Sequence, residues 1–157
     1  MKIKLIAIGK TAEPFIALGF NLYQQRIQKY TNFEYAEGVL PVATKKLPPD
    51  ALKIKEGEWL LQQLTSSDLL CLLDESGKNF TSIQFANQLQ NWQNRSIRTV
   101  IFAIGGAFGF SEAVYARAND QISLSKMTFS HQIIRIIFAE QLYRAYTILN
   151  NEPYHHA

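Results

Sequence analysis

The stretch DLLCLL, residues 68–73, carries no polar side chain after Asp68. A strand with one wet face alternates apolar and polar residues, whereas a strand covered on both faces does not. TVIFAI, residues 99–104, has the same unbroken character. Between them, residues 82–94 have a helical period through Ile83, Phe85, Ala86, Leu89 and Trp92. Two doubly covered strands joined through a helix predict an α/β fold, a mostly parallel sheet with helices on both faces. These two strands are expected at its centre.

Outward from this pair, strand and helix keep alternating. KIKLIAI (2–8) reads as a strand, and FEYAEGV (33–39) as a more exposed one. Residues 13–30 read as a helix, with Phe15, Leu18, Leu22, Ile27 and Tyr30 near one apolar stripe. Residues 41–50 read as a loop ended by Pro48 and Pro49, with Asp50 as the N-cap of a helix over 51–64. Leu52, Trp59 and Leu60 are its expected inward residues. DESGK (74–78) and GGAFGFS (105–111) read as turns, 111–118 as a short helix, and QISL (121–124) as a last strand. A long helix runs from 130 to about 150, with Ser130 a candidate cap.

The 157 residues suit a single domain, 1–157, which can bury roughly 70% of its unfolded surface without staples. Cys71 is the one cysteine and sits mid-strand, so neither an internal disulfide nor a nucleophilic thiol is expected, and a reducing, cytoplasmic setting fits. MKIKLIAIGK is too short and too interrupted for a leader or a membrane span. Charge is uneven. Residues 1–55 hold nine Lys/Arg against four Asp/Glu, and residues 56–157 hold seven against nine. A basic half can meet a polyanion, but a solvated face is the default reading of +5 unless something else points to nucleic acid.

In such sheets ligands sit outside the carboxyl ends of the strands. Three loops therefore become candidates together: LDESGK after residue 73, GGAFGFS after 104 and LSKMTFSH after 123. Taken alone, each is ordinary. The glycines lack both the G-x-G-x-x-G spacing of a dinucleotide site and the GK[ST] of a P-loop. Taken together, bare glycine backbone beside Leu, Met and Phe suits an apolar, aromatic ligand recognised by main-chain amides. His131, His155 and His156 have no metal-ligand spacing, and no G-x-S-x-G elbow is present, so no metal is expected.

The last helix, HQIIRIIFAEQLYRAYTILNN, is apolar around most of its circumference. Ile133, Ile137 and Ile148 face one way, Phe138, Leu142 and Leu149 another, and Ile136 and Tyr143 a third. One sheet cannot cover all of that, so a second subunit is expected against it, with Leu142 facing outward. Arg135, Glu140 and Arg144 are then either a salt-bridge set, Glu140–Arg144 being spaced i,i+4, or a polar site at the interface.

LLDESGK, FAIGGAFGFS, ISLSKMTFSHQIIRIIFAEQLYRAYTI and the terminal NEPYHH together resemble the bacterial RlmH family over essentially the whole chain. Those proteins are SPOUT-type, trefoil-knotted methyltransferases of 23S rRNA. The resemblance implies a C-terminal trefoil knot, a cytoplasmic homodimer, and methyl transfer from S-adenosyl-L-methionine to N3 of a pseudouridine on the assembled ribosome. It places the cofactor against Leu73, Gly105, Leu124, Ser125, Lys126, Met127, Thr128 and Phe129. One departure is visible, since residues 107–110 read Ala-Phe-Gly-Phe where the family has Pro-Glu-Gly-Leu-type variants. For handling the N3 proton and orienting the base, the candidates are Arg135, Tyr154 and His155. Two other readings stay open on the residues alone: a non-catalytic dimeric module that binds RNA or a nucleotide, and a flavodoxin-like enzyme, which would need a phosphate cradle.

Overall fold

The structure is a computed structural model that describes residues 1–156. Strands β1 (Lys2–Ile8), β2 (Phe33–Gly38), β3 (Leu69–Asn79), β4 (Thr99–Ile104) and β5 (Asp120–Ser123) form one sheet in the order β2-β1-β4-β3-β5. Every neighbouring pair is parallel. β4 is central and β3 lies beside it, as their unbroken apolar runs require.

The helices are α1 (Pro14–Ile27), α2 (Val42–Lys45), α3 (Pro49–Gln62), α4 (Ser82–Asn94), α5 (Glu112–Arg117) and α6 (Ile133–Leu149). The connections β1-α1-β2 and β3-α4-β4 travel one way across the sheet. Those through α3 and α5 travel the other way. Right-handed crossovers then force the two sets onto opposite faces. Strand pleating supplies the matching apolar surfaces. Ile3, Leu5 and Phe102 pack with residues of α1, α4 and α6, while Ile6, Leu72 and Ala103 pack with Leu60 of α3 and Val114 of α5. Thr81 and Gln84 close a capping box at the start of α4.

Several expectations are corrected. On α1 the inward residues are Ile16, Phe20 and Ile27, while Phe15, Leu18 and Leu22 are exposed. The helix has apolar residues on two sides, and only tertiary packing decides between them. Ile83 of α4 is exposed as well. Residues 41–50 contain the short α2, and α3 starts at Pro49 with Pro48 as its N-cap. Proline fits the first turn, where no N–H is needed, and Asp50 sits within that turn, favourable to the helix dipole. DESGK is a wide bulge inside β3 rather than a terminal turn. Leu73 and Lys78 both pair with Ile122, so residues 74–77 are squeezed out between them. Gly77 is required there, since a Cβ would stand 2.6 Å from the Ile122 nitrogen.

α6 also differs from its expected setting. It lies against both α1 and α4, and Phe138 packs on Phe102 of β4 with ring centroids 4.7 Å apart, so two helices and the sheet of the same chain cover it. Phe138, Leu142, Ala145 and Tyr146 are all buried. Leu142 is therefore core and not an outward residue. No helix among the described residues is long and apolar enough to cross a membrane.

Candidate functional site

All five strands point the same way, so their carboxyl ends share one edge. The chain leaves β4 toward the α5 face, and leaves β3 and β5 toward the opposite face. That reversal opens a crevice between the strand ends. A cavity of about 710 Å³ fills it, walled by the bulge after Leu73, the glycine turn after Ile104 and the loop after Ser123. Leu73, Gly105, Leu124 and Ser125 line it, as do Met127, Thr128 and Phe129. Lys126 is exposed and is not part of the lining.

The serine hydroxyls of the third loop are spent on its own shape. Ser123 Oγ donates to the Ser125 carbonyl at 2.8 Å, and Ser125 Oγ accepts from the Met127 amide at 2.9 Å. Ser130 Oγ accepts from the Ile133 amide at 3.2 Å, but α6 starts at Ile133 with Gln132 as its N-cap, so Ser130 braces the turn before the helix and is not the cap itself. With the loop fixed from within, Met127 and Phe129 stand exposed at the cavity, and Phe108 of the glycine turn is exposed beside them. Gln132 then reaches past β4, donating to the Lys10 carbonyl at 2.8 Å and accepting from the Ala12 amide at 2.9 Å.

The glycine turn is tight for a stated reason. Gly109 has φ +82° and its amide donates to the Gly106 carbonyl at 3.2 Å. A Cβ on Gly105 would stand 3.3 Å from the Phe110 ring and 3.4 Å from the Gly109 backbone. A Cβ on Gly106 would lie 2.7 Å from both carboxylate oxygens of Glu56. Glu56 comes from α3, is buried, and has its carboxyl pushed up by that burial.

Asp74 gives the cavity a fixed negative charge. Burial opposes its ionisation, but hydrogen bonds from Ser76 and Tyr115 hold the carboxyl below its ordinary value. The Tyr115 hydroxyl donates to Asp74 at 2.6 Å, and burial together with this bond pushes Tyr115 up to about 12. Glu75 lines the same wall. Asp74, Tyr115 and Glu56 were not singled out from the sequence, since their partners lie far along the chain.

Arg135, Tyr154 and His155 stand elsewhere. None of them lines the cavity of its own chain. Arg135 is fully buried and donates to the His131 and Ile8 carbonyls, Thr11 Oγ1 and the Tyr35 hydroxyl, with Glu37 at 3.5 Å. It ties β1, β2 and the start of α6 together. Tyr154 donates to Glu140 at 3.1 Å and packs edge-on to Tyr143, with ring centroids 4.7 Å apart. Arg144 pairs with Glu140, stacks over the Tyr154 ring at 4.8 Å and lies 3.3 Å from His155 Nδ1. The Glu140–Arg144 pair is thus formed. Burial, and then a hydrogen bond with Tyr23, push the Tyr154 hydroxyl well above its ordinary value, so it stays protonated.

A family model described as "Predicted SPOUT methyltransferase" matches residues 1–155. The chain is 51% identical over 158 residues to a protein of Parabacteroides distasonis named Ribosomal RNA large subunit methyltransferase H, covering 99% of each chain. Proteins of the same name from Christiangramia forsetii and Cytophaga hutchinsonii are 49% and 48% identical, again over 99% of this chain and 99% and 100% of theirs.

Proposed function

This chain belongs to the SPOUT methyltransferase family, and from that premise we propose that it methylates N3 of a pseudouridine in 23S rRNA of the large ribosomal subunit. The methyl donor is S-adenosyl-L-methionine, the chain works in the cytoplasm as a homodimer, and its C-terminal part is threaded as the trefoil knot the family implies. The observation that carries the reading is the convergence of three strand-end loops on one cavity of about 710 Å³.

The lining suits that donor. When bound, S-adenosyl-L-methionine supplies a methyl group already activated on a sulfonium. Asp74, held ionised, and Glu75 give the wall the sign a cationic ligand needs. Phe108, Met127 and Phe129 offer exposed apolar surface to a purine ring. Gly105 and Gly106 let the turn close tightly against Phe110 and Glu56, which holds its backbone at the cavity wall. Holding two reactants in line supplies ~7–11 kcal/mol of a displacement barrier. A positioned base contributes about 3–5 kcal/mol. Positioning dominates, which is why no strongly nucleophilic or metal-binding cluster is needed among the described residues.

The N3 proton still has to leave. In this reading Tyr154 orients the base by stacking, His155 takes the proton, and both act in the cavity of a second copy. Arg135 is a positioning residue, acting through His131 and β1. What supports the second copy is the exposed stripe Phe15, Leu18 and Leu22 on α1. That stripe continues through Arg26, which lies over Tyr143, to Tyr154 packed on the same ring. Calorimetry with S-adenosylhomocysteine and transfer of labelled methyl groups to ribosomes test the reading. Submicromolar to micromolar binding without metal, followed by labelling of large-subunit RNA, is the expected result. Binding of ribosomes with neither cofactor binding nor transfer would make the chain a non-catalytic module.

A further inference from the structure

The parallel sheet places more than the cavity on its carboxyl edge. Lys10 follows β1, and Lys45 and Lys46 follow β2 at the end of α2, so all three stand on that edge. All three are exposed, and none is in an ion pair among the described residues. The acids on this side are mixed. Glu37 is held by Arg135 and Thr11, and Asp50 faces Lys53 at 3.7 Å, while Glu13 and Glu112, the first residue of α5, are exposed.

The strand order turns this into a direction. Along the edge the sequence is Lys45 and Lys46, then Lys10, then the cavity, then Asp74 and Glu75 in the β3 bulge. Gln132 bonds to both the Lys10 carbonyl and the Ala12 amide, so the loop carrying Lys10 is fixed to the cavity wall. The segment bearing Lys45 and Lys46 is stiffened by Pro41 before α2 and by Pro48 and Pro49 after it. Its charges are therefore presented with little ordering cost. Three exposed lysines attract a polyanion to the β1–β2 side, whereas Asp74 and Glu75 repel it at the β3 bulge, with the single exposed Lys126 beyond them after β5.

We propose that Lys10, Lys45 and Lys46 form a phosphate track for the RNA strand flanking the target nucleotide, which enters the cavity from the β2 side. This rests on the reading that the substrate is RNA. Lysines that neutralise phosphates release counterions, so each adds about one unit to the slope of log affinity against log salt.

The test compares wild type with K10Q/K45Q/K46Q and with R95Q, which lies on the opposite edge before β4. Binding to purified large ribosomal subunits is read by co-sedimentation over a range of KCl, and methyl transfer is read separately. The triple variant should keep its S-adenosylhomocysteine affinity and bind subunits on the order of tenfold more weakly, with a salt slope lower by about two to three. R95Q should match wild type. A triple variant with wild-type affinity and slope overturns the track, as does a wild-type chain that does not bind subunits at all. Binding that depends on the three lysines without any methyl transfer upholds the track and sinks the catalytic reading alone.

Discussion

At the scale of single residues, the glycine turn is where the site is most easily broken. A Cβ on Gly105 would already meet the Phe110 ring at 3.3 Å and the Gly109 backbone at 3.4 Å, tight contacts that a longer side chain makes worse. Gly105→Leu should therefore distort the turn and weaken S-adenosylhomocysteine binding by at least about tenfold in calorimetry. Unchanged binding would remove the turn from the site. Glu56 supports a pH prediction. Burial raises its pKa in the folded chain above the unfolded value. Between those two values the folded state holds the proton more tightly, so stability falls as pH rises through that window and returns as pH is lowered. Glu56→Gln removes this slope and should melt higher than wild type near neutral pH. Thermal unfolding from about pH 4 to pH 8 checks it, and an identical slope in both proteins would contradict the assignment. The glycines were legible as turn residues because their chemistry is local. Glu56 against Gly106 and Asp74 against Tyr115 were not, because each pairing joins residues far apart in sequence.

At the scale of elements, β3 and β4 were legible because a strand covered on both faces has no polar side to hide. Helix α4 was nearly so, its bounds and most of its inward residues following from short-range pattern. Helices α1 and α6 were not, because each is apolar on several sides and the period alone cannot say which side meets the sheet. The exposed side of α1 and the buried Leu142 of α6 give opposite predictions. Leu142→Ala opens a cavity in the core and should cost about 2–5 kcal/mol in chemical denaturation. Leu18→Glu alters an exposed residue and should leave a folded protomer while splitting the proposed dimer, as light scattering would report. A Leu18→Glu protein that stays dimeric would move the interface away from α1. The bulge in β3 was hidden for another reason. DESGK has the composition of a turn, and only pairing with β5 on both sides keeps it inside a strand.

At the scale of the whole molecule, the sheet edge gathers the cavity, the basic track and the loops that wall them, while the tail cluster of Glu140, Arg144, Tyr154 and His155 sits apart. Deleting residues 152–157 should leave cofactor binding and dimerisation nearly intact and abolish methylation of ribosomes. Mixing that truncated chain with Gly105→Leu chains separates a shared site from a private one. Each parent is inactive, but a mixed dimer joins one open cavity to one intact tail, so random mixing should restore about a quarter of wild-type activity. A mixture as inactive as its parents would mean that the tail serves its own chain or nothing. The most direct test of the central claim is nucleoside mass spectrometry of 23S rRNA from ribosomes incubated with the purified protein and isotopically labelled S-adenosyl-L-methionine. The account predicts one labelled methyl group on N3 of a pseudouridine, absent with the Gly105→Leu protein. Ribosomal RNA that gains no label from the wild-type protein would contradict it.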